Sequence, residues 1–111
     1  MRELLLALII ATPLTAQDHS GHTMATDDPL VKAWTEANAK MHEDMAIEYS
    51  GDADVDFIRG MIPHHQGAID MAKIVLEHGD DPEVKKLAED VIKAQEAEIA
   101  WMEAWLKEHG Y

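Results

Sequence analysis

The sequence predicts an all-α protein that folds as a small antiparallel helical bundle. Long segments carry apolar residues at three- and four-residue spacing, short connections rich in Gly, Asp and Pro separate these segments, and no segment alternates apolar and polar residues. Helices joined by short connections usually pack as antiparallel neighbours. The 111 residues suffice for one domain. We expect three long helices and one short helix in a four-helix arrangement.

The bundle domain is expected to occupy residues 28–111 and to open with a long helix. Asp28 is placed to cap this helix and Pro29 to occupy its first turn. The helix should continue to about Tyr49, because Gly51 then stops it. A short second helix follows, since the aspartates after Gly51 place negative charge at its positive N-terminal end. We expect Pro63 to break or kink the chain after that helix.

Two more long helices follow Pro63. The first should span residues 64–78 and end at Gly79, which is placed to act as a C-terminal cap. The last has Asp81 and Pro82 as its start signal and should run to about Gly110. Its residues at helical spacing predict one continuous apolar face, which comprises Val84, Leu87, Val91, Ile99, Met102 and Trp105.

Residues 1–16 have the layout of a secretory signal peptide, with a basic Arg2, an apolar run over residues 4–11 and small residues before a cleavage position after Ala16. An ordinary first helix is the alternative, but the run lacks helical spacing. It is also shorter than the ~20 residues that span a bilayer, so we expect no stable membrane insertion. Residues 17–27 are interpreted as a flexible leader rich in His and Met. These features predict a periplasmic or secreted protein.

Charge and cysteine content exclude several functions. The formal net charge of -13 excludes ordinary nucleic-acid binding, which requires a basic surface. Cysteine is absent, so the chain has no disulfide, no thiolate metal site and no cysteine nucleophile. A soft metal ion would therefore bind thioether sulfur and imidazole nitrogen, which seven Met and seven His residues supply.

Two groups of candidate metal ligands lie on predicted helices. Met41 and Met45 are four residues apart on the first helix, so they share a face, and His42 lies beside them. The second group surrounds Pro63 and comprises Met61, His64, His65 and Met71. Methionine at helical spacing also fills cores, and a histidine pair also occurs as a cap or as surface decoration, so both alternatives stay open.

Two further groups are candidates for supporting roles. Gln95 and Glu98 share the apolar stripe of the last helix with Met102, where a carboxylate needs a partner. That partner would be the free ring nitrogen of a metal-bound histidine, or else Arg59 or Lys73 across the bundle. In the leader, His19, His22 and Met24 are candidate accessory ligands, although a solvated terminus with chance histidines would look the same.

The mixed sulfur and nitrogen donors favour copper, because thioethers prefer the monovalent ion and imidazole accepts either oxidation state. The HExxH motif of hydrolytic zinc sites is absent, and no histidine follows a glutamate by three residues, as a di-iron bundle site would require. Neither serine lies in a nucleophile elbow. We therefore expect a binding protein and no enzyme.

The runs DFIRGMIPHHQGAIDMAKIVLEHG and VIKAQEAEIAWMEAWL closely resemble the domain of unknown function family numbered 305. This family is a ferritin-like group of exported bacterial proteins that includes periplasmic copper binders. The resemblance covers residues 41–106 and implies a ferritin-like bundle whose Met and His side chains bind copper. The ligands that it implies are Met41, Met45, Met61, His64, His65, Met71 and Met102, with His42 in a supporting position. Gln95 and Glu98 are expected to support the ligands or to have a structural role.

The function expected from these observations is sequestration or transport of Cu(I) or Cu(II) outside the cytoplasm, in copper tolerance or homeostasis. Copper ions are the expected partners, together with a copper transporter or another copper carrier. Two alternatives stay open: a copper-dependent oxidoreductase, and a metal-free structural bundle whose methionines fill the core.

Overall fold

The computed structural model describes residues 28–111, and these residues form three α-helices. Helix α1 spans Pro29–Met45, α2 spans Ala53–His78 and α3 spans Pro82–Glu108. The predicted all-α class is thus confirmed. The predicted signal peptide (1–16) and leader (17–27) lie outside the described residues. Within residues 28–111, no helix is both long enough and apolar enough to cross a lipid bilayer.

Each helix begins at an aspartate that caps it. The carboxylate of Asp28 accepts a hydrogen bond from the backbone N–H of Leu30, and Asp52 and Asp81 accept bonds from the first turns of α2 and α3. A capping side chain of this kind satisfies backbone donors that have no partner within the helix. The predicted starts at Asp28 and Asp81 are therefore confirmed.

Pro63 does not divide the chain into a short helix and a long one. Helix α2 is continuous from Ala53 to His78 with Pro63 inside it, so the prediction of a separate short helix is wrong. The packing of α2 between two other helices outweighs the lost backbone hydrogen bond. Helix α1 is also shorter than predicted, since it ends at Met45 rather than near Tyr49.

The connection between α1 and α2 is held by a carboxylate. Gly51 has a φ of 87°, which a residue with a side chain rarely adopts. The backbone N–H and the hydroxyl of Ser50, and the N–H of Gly51, donate to the Asp56 carboxylate. These hydrogen bonds, chiefly those from Ser50, hold the pKa of Asp56 below its usual value.

Helix α2 is the central element and packs against both α1 and α3. A Cβ built on Gly67 of α2 would lie 2.5 Å from the Sδ atom of Met41, which shows how closely α1 approaches. The connection between α2 and α3 is short, since only residues 79–81 separate the two helices. The buried apolar side chains of the core are Val55, Ile58, Ile69, Ala72, Ile74, Ala88 and Met102.

The predicted apolar face of α3 is buried over part of its length. Met102 is 6% exposed, whereas Val84 is 46% and Leu87 is 61% exposed. Both exposed residues line a groove of about 270 Å³ whose walls also include Trp34 from α1 and Met71 from α2. The start of the apolar face thus borders an open groove, whereas Met102 near its end lies in the core.

Candidate metal site

A cavity of about 310 Å³ lies between α2 and α3 and contains the richest set of candidate ligands. Three of its residues carry a soft or borderline donor atom, namely Met61 and His65 on α2 and Met102 on α3. The remaining lining residues are Phe57, Ile58, Glu98 and Trp101. Phe57, Ile58 and Trp101 make the walls of the cavity largely apolar.

The continuity of α2 through Pro63 places two of these donors together. Met61 and His65 are four residues apart in one unbroken helix, so their side chains share a face. The third donor comes from Met102 of α3, which is 6% exposed and lines the same cavity. If Pro63 broke the helix, the spacing of Met61 and His65 would not fix them on one side.

The imidazole of His65 is held by the carboxylate of Glu98 across the helix interface. The Nε2 atom of His65 hydrogen bonds to Oε2 of Glu98, and the histidine side chain is 15% exposed. The other ring nitrogen, Nδ1, is buried and has no hydrogen-bond partner. In the neutral ring that donates from Nε2, Nδ1 carries a free lone pair. A metal-binding histidine that a carboxylate orients has the same arrangement, with one ring nitrogen on the carboxylate and the other on the metal.

Glu98 thus contacts a histidine ring rather than Arg59 or Lys73. Within residues 28–111 its side-chain hydrogen-bond partner is His65, and the guanidinium of Arg59 lies instead over the ring of Tyr111 at 5.1 Å. The Glu98 side chain is 63% exposed, so it stands at the edge of the cavity rather than inside the core. Its exposure lowers the cost of keeping the carboxylate charged.

The donors in the cavity are soft. Among the described residues, no three His, Asp or Glu side chains lie together in a way that could hold an ion. The cavity instead combines two thioethers with one imidazole. Such a set suits Cu(I) well, because thioethers prefer the monovalent ion and imidazole binds copper in either oxidation state.

The comparison with known proteins gives a family for this chain. Residues 54–111, which are more than half of the chain, match the family described as Domain of unknown function (DUF305). The chain belongs to the DUF305 family. All residues that line the cavity between α2 and α3 fall within the matched range.

A similar protein from a virus also matches part of this DUF305 chain. It is Uncharacterized protein L153 from Acanthamoeba polyphaga mimivirus, which is 44% identical over 55 residues. The match covers 50% of this chain and 36% of the viral protein. The chain therefore spans little more than a third of the length of this relative.

Other predicted ligands of the DUF305 chain lie away from the cavity. The Met41 side chain packs over Gly67 at the contact between α1 and α2, and Met45 is one turn further along α1. Met71 is 46% exposed and lines the groove beside Trp34. Since Met71 follows Met61 by ten residues in one helix, the two lie ~15 Å apart along the helix axis. The structure therefore does not bring the predicted ligands into one site.

Two further candidate histidine ligands and Gln95 also lie outside the set of residues that lines the cavity. His42 and His64 are exposed, and the ring centre of His64 lies 6.4 Å from that of His65. Gln95 is partly buried on α3, one turn before Glu98. The candidate accessory ligands His19, His22 and Met24 lie outside the described residues.

Sequence reasoning missed the aromatic residues of the cavity. Phe57 and Trp101 both line it, and both are 63% exposed. Trp101 lies off the apolar stripe of α3, so helical spacing gave no reason to select it. Its position next to Met102 in the sequence was the available signal, because consecutive residues on a helix can border the same cavity from different angles.

Proposed function

We propose that this protein binds copper ions and acts as a copper sequestrant or carrier, with Met61, His65 and Met102 as the ligands in the cavity between α2 and α3. The observation that carries the proposal is the state of His65, whose Nε2 is held by Glu98 while its Nδ1 is buried without a partner. The two methionines that line the same cavity supply the other donors.

A buried nitrogen without a hydrogen bond is costly. Leaving such a group unsatisfied costs about 1–3 kcal/mol, so native proteins rarely retain one without a reason. A metal ion would satisfy the lone pair of His65 Nδ1. The hydrogen bond from Glu98 would meanwhile orient the ring and make it a better ligand. The arrangement thus fits a site prepared for a metal ion.

Copper is the ion that best fits these donors. Zinc sites in proteins use Cys, His and carboxylates, and calcium and magnesium require oxygen ligands. Two thioethers and one imidazole match Cu(I). The other nitrogen of the same imidazole hydrogen bonds to the Glu98 carboxylate. The formal net charge of -13 would attract cations toward the protein surface before they enter the cavity.

The remaining predictions complete the proposal. Export after cleavage at Ala16 would place the protein in the periplasm or outside the cell. The chain has no cysteine that could be oxidised there. There the leader would capture Cu(II) and exchange copper with a transporter or another carrier. The outlying ligands of α1 and α2 would serve as secondary positions. The helices would belong to a ferritin-like bundle. The short connection between α2 and α3 supports antiparallel packing of these two helices.

The test is a titration of the purified protein with Cu(I) in competition with a chelator, and with Cu(II) in parallel. His65→Ala removes the buried ligand, and His64→Ala is the matched control because His64 is the exposed neighbour. Met61→Leu and Met102→Leu remove sulfur and nearly conserve volume, so they should cost less than about 1.5 kcal/mol of stability. Met71→Leu is their control, since Met71 lines the other groove.

We expect each cavity variant to lose more Cu(I) affinity than the roughly 10- to 100-fold loss that follows removal of a supporting hydrogen-bond partner. The two control variants should keep the wild-type Cu(I) affinity of the cavity site and should lose at most a weaker, secondary binding event. Equal, weak uptake by wild type and cavity variants would refute the proposal and would favour a structural bundle whose methionines are core residues.

A further inference from the structure

The rim of the cavity carries an exposed tryptophan. Trp101 is 63% exposed although it lines the same cavity as Met61, His65 and Met102. Full burial of a large aromatic side chain would stabilise the fold by several kcal/mol, so the fold gains less from this residue than a core position would give. Its position at the cavity suggests a role in binding the copper ion.

An indole ring beside a metal cavity can interact directly with a cation. The face of an aromatic ring carries negative potential, and tryptophan is the strongest of the aromatic side chains in attracting a cation. Three residues that line the cavity carry a soft or borderline donor atom, namely Met61, His65 and Met102. Cu(I) tolerates such a low number of ligands, whereas Cu(II) favours a tetragonal set of nitrogen and oxygen ligands.

We infer that Trp101 is a specificity residue of the copper site, whose indole makes a cation–π contact with Cu(I) and thereby favours the monovalent ion. This inference rests on the proposed function. The contact would make the site selective for the monovalent ion.

The experiment measures the affinities of the purified protein for Cu(I) and for Cu(II), each against a competing chelator, in wild type, Trp101→Leu and Trp101→Phe. Phe57→Leu is the matched control, because Phe57 is the other aromatic residue of the rim and is equally exposed. Far-UV circular dichroism verifies that each variant is folded. Quenching of tryptophan fluorescence by Cu(I) gives a second readout that does not depend on the chelator.

We expect Trp101→Leu to weaken Cu(I) binding about 2- to 30-fold, the range that a cation–π contact provides. The Cu(II) affinity of Trp101→Leu should stay within about two-fold of the wild-type value, since the indole does not contribute to the binding of that ion. The Cu(I) affinity of Trp101→Phe should lie between those of wild type and Trp101→Leu. Most of the fluorescence quenching should be lost with Trp101, because the other two tryptophans lie outside the cavity.

Three results would overturn the inference, and they are distinguishable. If wild type binds Cu(I) tightly and Trp101→Leu binds it equally well, Trp101 has no role and the proposed function survives. If the variant loses affinity for both ions to the same extent, Trp101 acts only through the structure of the cavity. If wild type itself binds neither ion, the proposed function fails and this inference fails with it.

Discussion

Replacement of Gly67 by alanine should weaken the contact between α1 and α2. A Cβ at this position would lie 2.5 Å from Sδ, 2.9 Å from Cγ and 3.3 Å from Cβ of Met41. Favourable contacts between such atoms occur at ~3.5–4.0 Å, so the Met41 side chain would have to move. Overpacking of this kind costs ~1–3 kcal/mol, while alanine in a helix interior gains roughly 0.5–1 kcal/mol over glycine.

We therefore expect Gly67→Ala to reduce the free energy of unfolding by about 1 kcal/mol, which corresponds to a melting temperature lower by roughly 4–8 °C in a domain of this size. Thermal unfolding followed by circular dichroism gives the value. In a Met41→Ala background the clash with Sδ and Cγ is gone, so the same change should be neutral or stabilising by up to about 1 kcal/mol. The coupling energy between the two positions should thus be ~1–2 kcal/mol.

An equal stabilisation in both backgrounds would refute this reasoning. Gly67→Ala would then act only through helix propensity, and Met41 would not lie over α2. The result also bears on copper, because a large coupling energy identifies Met41 as a packing residue between helices. A zero coupling energy would leave its sulfur free for another role.

Three further changes have defined outcomes. Glu98→Gln should reduce copper affinity about 10-fold or more by weakening the bond that orients His65, with no loss of helix content; unchanged affinity in the chelator competition would exclude this role. Hydrogen bonds from Ser50 lower the pKa of Asp56, so the charged carboxylate stabilises the fold above the unfolded pKa of about 4, and this stabilisation disappears as the pH falls through the lower folded pKa. Urea unfolding should therefore show Asp56→Asn less stable than wild type at neutral pH, with a difference that narrows in acid; a constant difference would contradict this. Pro63→Ala should stabilise α2 by up to about 3 kcal/mol, and a lower melting temperature would show that the proline is favourable where it stands.

Local signals in the sequence were sufficient for much of the fold. The pairs Asp28–Pro29 and Asp81–Pro82 predict helix starts because capping and a fixed proline φ act within a few residues. Both starts are found in the structure. Pro63 was misleading, because the cost of a proline inside a helix is also local, whereas the packing that maintains α2 comes from residues far away in the sequence.

The candidate site was predictable only in part. Spacing places Met61 and His65 on one face of a helix, and it suggests Glu98 as a partner of a histidine ring. It does not say which of the two adjacent histidines turns inward, and the structure selects His65. Nor does it separate the methionines of the cavity from Met41, since that distinction depends on how α1 and α3 approach α2 from different sides.

In the proposed site, two thioethers and one imidazole hold copper between α2 and α3. X-ray absorption spectroscopy of the copper-loaded protein tests it most directly, because the spectrum distinguishes sulfur from nitrogen and oxygen ligands. We predict two sulfur ligands and one nitrogen ligand for Cu(I) in wild type, and one sulfur ligand fewer in Met102→Leu. A spectrum with nitrogen and oxygen ligands alone, or one that Met102→Leu leaves unchanged, would contradict the proposed site.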